Sequence, residues 1–210
     1  MATGKHGSKG AEKAEIISSL VGAVEGSREF LEWRERNKSA YLSSLFVMVK
    51  DVARLNGSTV NDSPDAQNEW LLSYYDREDD TFTTFSSLGG QRASREQAFK
   101  KDKILPALKT GTVSIEVSAG VEAAEEVRLK KYKGEEASSV IAILQPLTGE
   151  EIFDQSLGSA DKNPGRPIPV WNITYITASY NIINVKVDAE TGKVLTDRMS
   201  GVMDFMQKDK

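Results

Sequence analysis

Two stretches open on tryptophan and then alternate: "WLLSYYDREDDTFTTF" from Trp70, and "WNITYITASYNIINVKVDAETGKVL" from Trp171. Each reads as an antiparallel hairpin, with β-branched and aromatic residues at a period of two around a polar turn. The two tryptophans lie 101 positions apart. At the same offset Tyr74 meets Tyr175, Leu72 meets Ile173, and upstream Leu42 meets Ile143. Each unit then reads helix, apolar strand, polar loop, tryptophan strand, turn, strand. A lone unit of this kind hides one sheet face and leaves open strand edges, which invite pairing. Two copies can bury each other or join their sheets. The fold class expected is α+β: two helix-on-antiparallel-sheet units of cystatin-like build, an internal duplication packed as one compact body. The alternative is two unrelated hairpins.

The rest of the chain falls around these hairpins. Residues 1–10 are rich in Gly, Lys and Ser and read as a disordered start. From Ala11 a helical period runs through Ile16, Leu20, Val24, Phe30 and Leu31 to about Asn37, weakened by Gly22 and Gly26. "AYLSSLFVMVKDVARL" (40–55) fits a helix face or a buried strand, and the repeat favours strand. Ser94 and Gln97 resemble a capping box for a short helix to Lys103. "TVSIEVS" (112–118) alternates like a strand. "GVEAAEEVRLKKYKG" (120–134) reads as a helix, with Val121, Ala124, Val127 and Leu129 inward and Gly134 as its stop. "SSVIAILQPL" follows as an apolar strand. The closing strands are joined by "DAETG" (188–192), where Gly192 can supply a positive φ. The expected organisation is an N-terminal unit at 11–88, a linker with a short helix at 89–111, a C-terminal unit at 112–203 and a tail at 204–210.

Composition narrows the chemistry. The chain has 210 residues, a net charge of −4, no cysteine and one histidine, His6, in the disordered start. Thiolate catalysis, disulfides and cysteine-based zinc sites are therefore excluded. A Ser-His-Asp triad needs a packed imidazole, which His6 does not offer. An acidic chain repels phosphate backbones, and the short basic runs at Lys100–Lys103 and Arg128–Lys133 read as solvated helix faces. No nucleic-acid partner is expected. No apolar run is long enough to span a membrane and no secretory signal opens the chain as given, which points to the cytoplasm unless a leader has been removed.

The acids Asp76, Glu78, Asp79 and Asp80 read as a solvated hairpin tip, and Asp188 with Glu190 as a turn. "LGGQRAS" reads as a linker. Trp70 and Trp171 are expected to plug the core between helix and sheet. Tyr74 shares a strand face with Trp70, and Tyr175 with Trp171, while Tyr75 points the other way. Tyr75 and Tyr180 are the candidate exposed contact residues. No catalytic, metal or cofactor-binding residue is assigned, and no cofactor is expected.

At these residues a family resemblance enters. "PVWNITYITASYNIINVKVDAETGKVL" resembles the closing segment of PepSY-type domains, whose pattern of an aromatic strand, a hairpin and "VDA-TG-VL" is matched by Val187, Asp188, Ala189, Thr191, Gly192, Val194 and Leu195. "VEAAEEVRLKKY" resembles the family's helix. The resemblance covers about 115–200 well and 11–88 weakly. It implies a small helix-on-sheet fold linked to peptidase regulation or protein interaction, with no catalytic residues to carry over. The chain departs from the family's habit of export or membrane attachment, since it shows no signal. The reading is a non-catalytic interaction module that uses a sheet face or strand edge against a peptide, a protein or a second copy of itself. Two alternatives stand beside it: a small-molecule carrier with a helix–sheet cavity, and a carboxylate- or metal-dependent hydrolase.

Overall fold

A computed structural model describes residues 15–49, 69–97, 105–152 and 166–201. Eight antiparallel strands form one sheet: β1 (Tyr41–Val49), β2 (Trp70–Asp76), β3 (Thr81–Ser86), β4 (Gln91–Gln97), β5 (Ala137–Leu147), β6 (Ile168–Thr177), β7 (Asn181–Asp188) and β8 (Val194–Gly201). Their spatial order is β4-β3-β2-β1-β5-β6-β7-β8. Each half of the chain is thus a four-stranded meander, and the halves meet through their first strands. β1 pairs β5 from Leu45↔Leu144 to Val49↔Val140. Joining the sheets removes two open edges and, among the described strands, leaves β4 and β8 at the outside.

Three helices cover one face. They are α1 (Glu15–Glu25), α2 (Arg28–Arg36) and α3 (Val117–Lys131). The alternation of each strand sends Leu45, Val47, Leu72, Tyr74, Val140, Leu144, Trp171, Ile173 and Tyr175 to that face, where all are buried in one core with Val21, Phe30, Trp33, Val121 and Ala124 of the helices. A short helix, α4 (Gly149–Ile152), follows β5. The connector before α3 holds a 3₁₀ turn at Thr110–Thr112 and is pinned to both halves. Leu108 N–H donates to Leu42 O at 2.8 Å, and the Ser114 and Ile115 N–H groups both donate to Ala189 O at 2.9 Å.

Both tryptophan hairpins form as the alternation predicts, and β1 is a strand. The turn at 188–192 closes as expected: Asp188 Oδ1 accepts the N–H groups of Glu190 at 2.8 Å and Thr191 at 3.2 Å, and Gly192 has φ +77°. Trp70 and Tyr74 hold strand positions that Trp171 and Tyr175 repeat. The first strands do not keep the same offset. Trp70 pairs with Val47 and Trp171 with Leu144, so Val47 answers to Leu144, where the sequence offset pointed to Thr148. Leu42 faces the helices and Ile143 the opposite side, so that expected match does not hold.

Four other expectations are corrected. The N-terminal helix is broken at Gly26–Ser27. Ser27 is extended (φ −69°, ψ 145°) and its Oγ accepts Phe30 N–H, capping α2. Residues 91–97 are a strand hydrogen-bonded to β3, not the start of a helix. The positive φ of Gly89 and Gly90 turns the chain back on itself there. Residues 112–118 leave the 3₁₀ turn and enter α3 at Val117, so their alternation reflects no strand. In α3 Leu129 is 57% exposed and Arg128 is buried instead, because the guanidinium finds partners inside that a leucine would not need. The expected disordered start, the polar loop around 56–65 and the tail at 204–210 lie outside the described residues.

Candidate functional site

The side chains that alternate away from the helices define the second face of the sheet. Across its middle, Leu71 pairs with Phe46, Phe46 with Ile143, and Ile143 with Asn172. One step along, Met48 pairs with Ile141, and Ile141 with Thr174. Leu71, Phe46, Met48, Ile141 and Ile143 are therefore contiguous in register on the three central strands. None of them belongs to the helix-side core, and Met48 is 45% exposed.

Polar ladders flank this apolar stripe. On one side Ser73 Oγ and Thr84 Oγ1 lie 3.1 Å apart. On the other, Asn184 Nδ2 donates to Asn172 Oδ1 at 2.6 Å and to Thr174 Oγ1 at 2.9 Å. Beyond the asparagines, α4 lies against the same face: Lys186 Nζ donates to the carbonyls of Glu151 at 2.5 Å and Ile152 at 3.1 Å. An apolar centre with a hydrogen-bonding rim is the general anatomy of a protein interface.

Tyr75 does point to this second face, but it is fully buried rather than exposed. Its ring meets Tyr41 at 5.7 Å and Phe82 at 5.4 Å, and its hydroxyl donates to Asp80 Oδ1 at 2.6 Å. Sequence alone pairs Tyr75 with no neighbour, and the rings that bury it come from β1 and β3. Tyr180 is 77% exposed, in the β6–β7 turn with φ +59°. The two tyrosines belong to different halves and are not brought together. Phe46, Met48 and Ile141, passed over as plain strand residues, are the ones the register assembles.

The acids serve structure. Asp76 is buried at the end of β2, where its Oδ1 accepts Ser39 Oγ at 2.7 Å and Glu78 N–H at 2.9 Å. Among the described residues no three His, Cys, Asp or Glu side chains converge as a metal site would need. No described helix is long and apolar enough to cross a membrane.

Beneath the helices, each half carries a polar cluster of its own. Arg128 reaches Glu125 through two bonds, Nε–Oε2 at 2.8 Å and Nη2–Oε1 at 2.6 Å, donates to Glu135 O, and stands 5.9 Å over the Tyr175 ring. Arg34 donates to Asn37 O and Ala40 O. Tyr74 hydroxyl donates to Glu25 at 3.1 Å. In both halves a last-turn arginine thus ties its helix to the chain entering the first strand. Burial, with a glutamate's charge added, raises both tyrosine hydroxyls well above their ordinary range, and Arg34 and Arg128 partly oppose the shift. These hydroxyls stay protonated and serve as donors.

The family model for the peptidase propeptide and YPEB domain matches residues 121–198, from the middle of α3 to β8. These residues match the PepSY family. PepSY domains are in general non-catalytic, propeptide-like modules. In this chain the PepSY match contains β5, β6, β7, most of α3 and the first five residues of β8, and it includes the Asp188–Gly192 turn. No curated protein matches the chain. Among solved structures, the crystal structure of "a putative lipoprotein" from Clostridium difficile 630 is similar at 12% identity, covering 82% of this chain and 90% of that chain with a TM-score of 0.42.

Proposed function

We propose that this PepSY-containing chain is a regulatory interaction module that binds a peptide or protein partner on the face of its sheet opposite α1, α2 and α3. The observation that carries this reading is the contiguous apolar stripe of Leu71, Phe46, Met48, Ile141 and Ile143, set across the seam between the halves. The polar ladders beside it supply hydrogen-bonding groups that fix orientation, while the stripe supplies apolar area. The family's propeptide-like character supports a binding role over a catalytic one.

The test is affinity capture and size-exclusion from the source cell's extract, comparing the natural chain with Met48→Glu and with Leu31→Glu on the outer side of α2. Both positions are exposed, so neither charge is expected to cost more than about 0.5 kcal/mol. A discrete partner, or a dimer, should be found that Met48→Glu loses and Leu31→Glu keeps. A monomer with no partner, or equal retention by both variants, would contradict it.

A further inference from the structure

At one end of the sheet a hollow of about 190 Å³ lies under the connector that precedes α3. It is separate from the apolar stripe on the opposite face, and four of its ten lining residues are proline: Pro106 of the connector, Pro146 at the end of β5, and Pro167 and Pro169 at the start of β6. Proline brings an apolar ring and no N–H donor, so the walls favour an apolar group. Pro146 and Pro169 face each other across the β5–β6 pair.

The rim is charged. Lys109 and Arg166 both line the hollow, with Glu190 as the acid. Neither Lys109 nor Arg166 has an ion-pair partner among the described residues. Two cations against one acid leave the rim positive, in a chain whose net charge is −4. The backbone around Lys109 and Pro169 is held in place. Thr112 Oγ1 donates to Lys109 O at 2.9 Å, Ala189 N–H donates to Pro169 O at 2.9 Å, and Tyr41 hydroxyl donates to Leu105 O at 2.5 Å. A site already ordered before binding loses little entropy when it is filled.

We infer that this hollow anchors the C-terminal residue of a peptide, its apolar side chain between the prolines and its α-carboxylate on Arg166 and Lys109. Size decides for a peptide end over a whole small molecule. Ligand pockets usually enclose roughly 300–1,000 Å³, and 190 Å³ holds about one side chain. Charge decides for the carboxylate: Arg166 can meet it with two parallel N–H bonds, and Lys109 adds a second positive charge.

The experiment is fluorescence anisotropy with a fluorescein-labelled Gly-Ser-Ala-Leu peptide carrying a free carboxylate, its amidated twin, and isovalerate as competitor. The free acid should bind at least about tenfold tighter than the amide, a difference of about 1.4 kcal/mol. Arg166→Ala and Lys109→Ala should each weaken the free acid and leave the amide unchanged, Arg166→Lys should retain part of the affinity, and isovalerate should compete only weakly. Met48→Glu should bind the peptide like the natural chain, which separates this site from the sheet face. Equal binding of acid and amide, no binding of either, insensitivity to both alanine variants, or isovalerate binding as tightly as the peptide would overturn the assignment.

Discussion

The Trp70 and Trp171 rings pack against each other, centroids 6.3 Å apart and planes inclined by 58°. They start from strands separated by the whole β1–β5 seam and meet above it. Each tryptophan therefore does more than fill its own half, because the pair ties the two meanders through side chains as β1 and β5 do through backbone. Trp171 is further fixed by its indole N–H, which donates to Ile115 O at 2.7 Å.

Trp70→Ala and Trp171→Ala should each cost about 3–5 kcal/mol, the range for a large buried aromatic. Because the rings touch, the double variant should cost less than the sum of the two by about 0.5–1.5 kcal/mol. A double-mutant cycle by urea denaturation measures this. Strict additivity would show that the rings are neighbours without being partners.

Gly120 and Gly22 should respond to alanine with opposite sign. Both are helical, and alanine is the better helix former by about 1 kcal/mol. A Cβ at Gly22 meets nothing within 4 Å, so Gly22→Ala should stabilise by about that amount. A Cβ at Gly120 would lie 3.1 Å from Trp171 Cδ1 and 3.2 Å from Cγ. The indole is fully buried and cannot retreat, and overpacking costs about 1–3 kcal/mol. Gly120→Ala should therefore be net destabilising. Thermal denaturation of the two variants settles the order.

Removing Arg128 should be costly out of proportion to its size. Arg128→Ala leaves Glu125 and the Glu135 carbonyl without their buried donor, and breaking such a pair costs about 3–5 kcal/mol. Arg128→Lys should recover little, since an ammonium cannot make the two parallel bonds to Glu125. Chemical denaturation of both variants reads this directly.

Acid should loosen β8 from α3. Burial alone would raise the Asp197 carboxyl, but hydrogen bonds from Lys131 and Tyr132, with the Lys131 charge, outweigh it and hold the group below its usual 3.8. A carboxyl depressed in the folded state stabilises above its unfolded pKa, and that stability is lost as pH falls through the folded value. Unfolding free energy measured from pH 6 down to pH 2.5 should therefore fall more steeply in the natural chain than in Asp197→Asn. On the alkaline side, burial and the bonded Asp197 push Tyr132 up to about 12, so its contribution fades as pH rises past the ordinary tyrosine value of 10.

Much of the fold was legible because it is written in local chemistry. Alternation around Trp70 and Trp171 marked both hairpins, and Asp188 with Gly192 marked their last turn. Where local signals competed, they misled. Ser94 and Gln97 fit a capping box, yet the paired glycines before them and the free edge of β3 drew 91–97 into the sheet. Leu129 fits the helical stripe, but Arg128 turns inward because an acid, a carbonyl and an aromatic ring await it. The candidate site was the least legible part. Phe46, Met48 and Ile141 become neighbours only once β1 pairs with β5, and no residue spacing encodes that choice. The burial of Tyr75 is hidden in the sequence for the same reason, since Tyr41 and Phe82 reach it only through strand pairing.

The most direct test replaces Met48 with the photoreactive p-benzoylphenylalanine, and separately Leu31, and irradiates each full-length protein in extract from its source cell. If the sheet face opposite α1, α2 and α3 is the docking surface, position 48 should cross-link to one discrete protein, or to a second copy of the chain, and position 31 should not. The same products from both positions, or none from position 48, would contradict that claim.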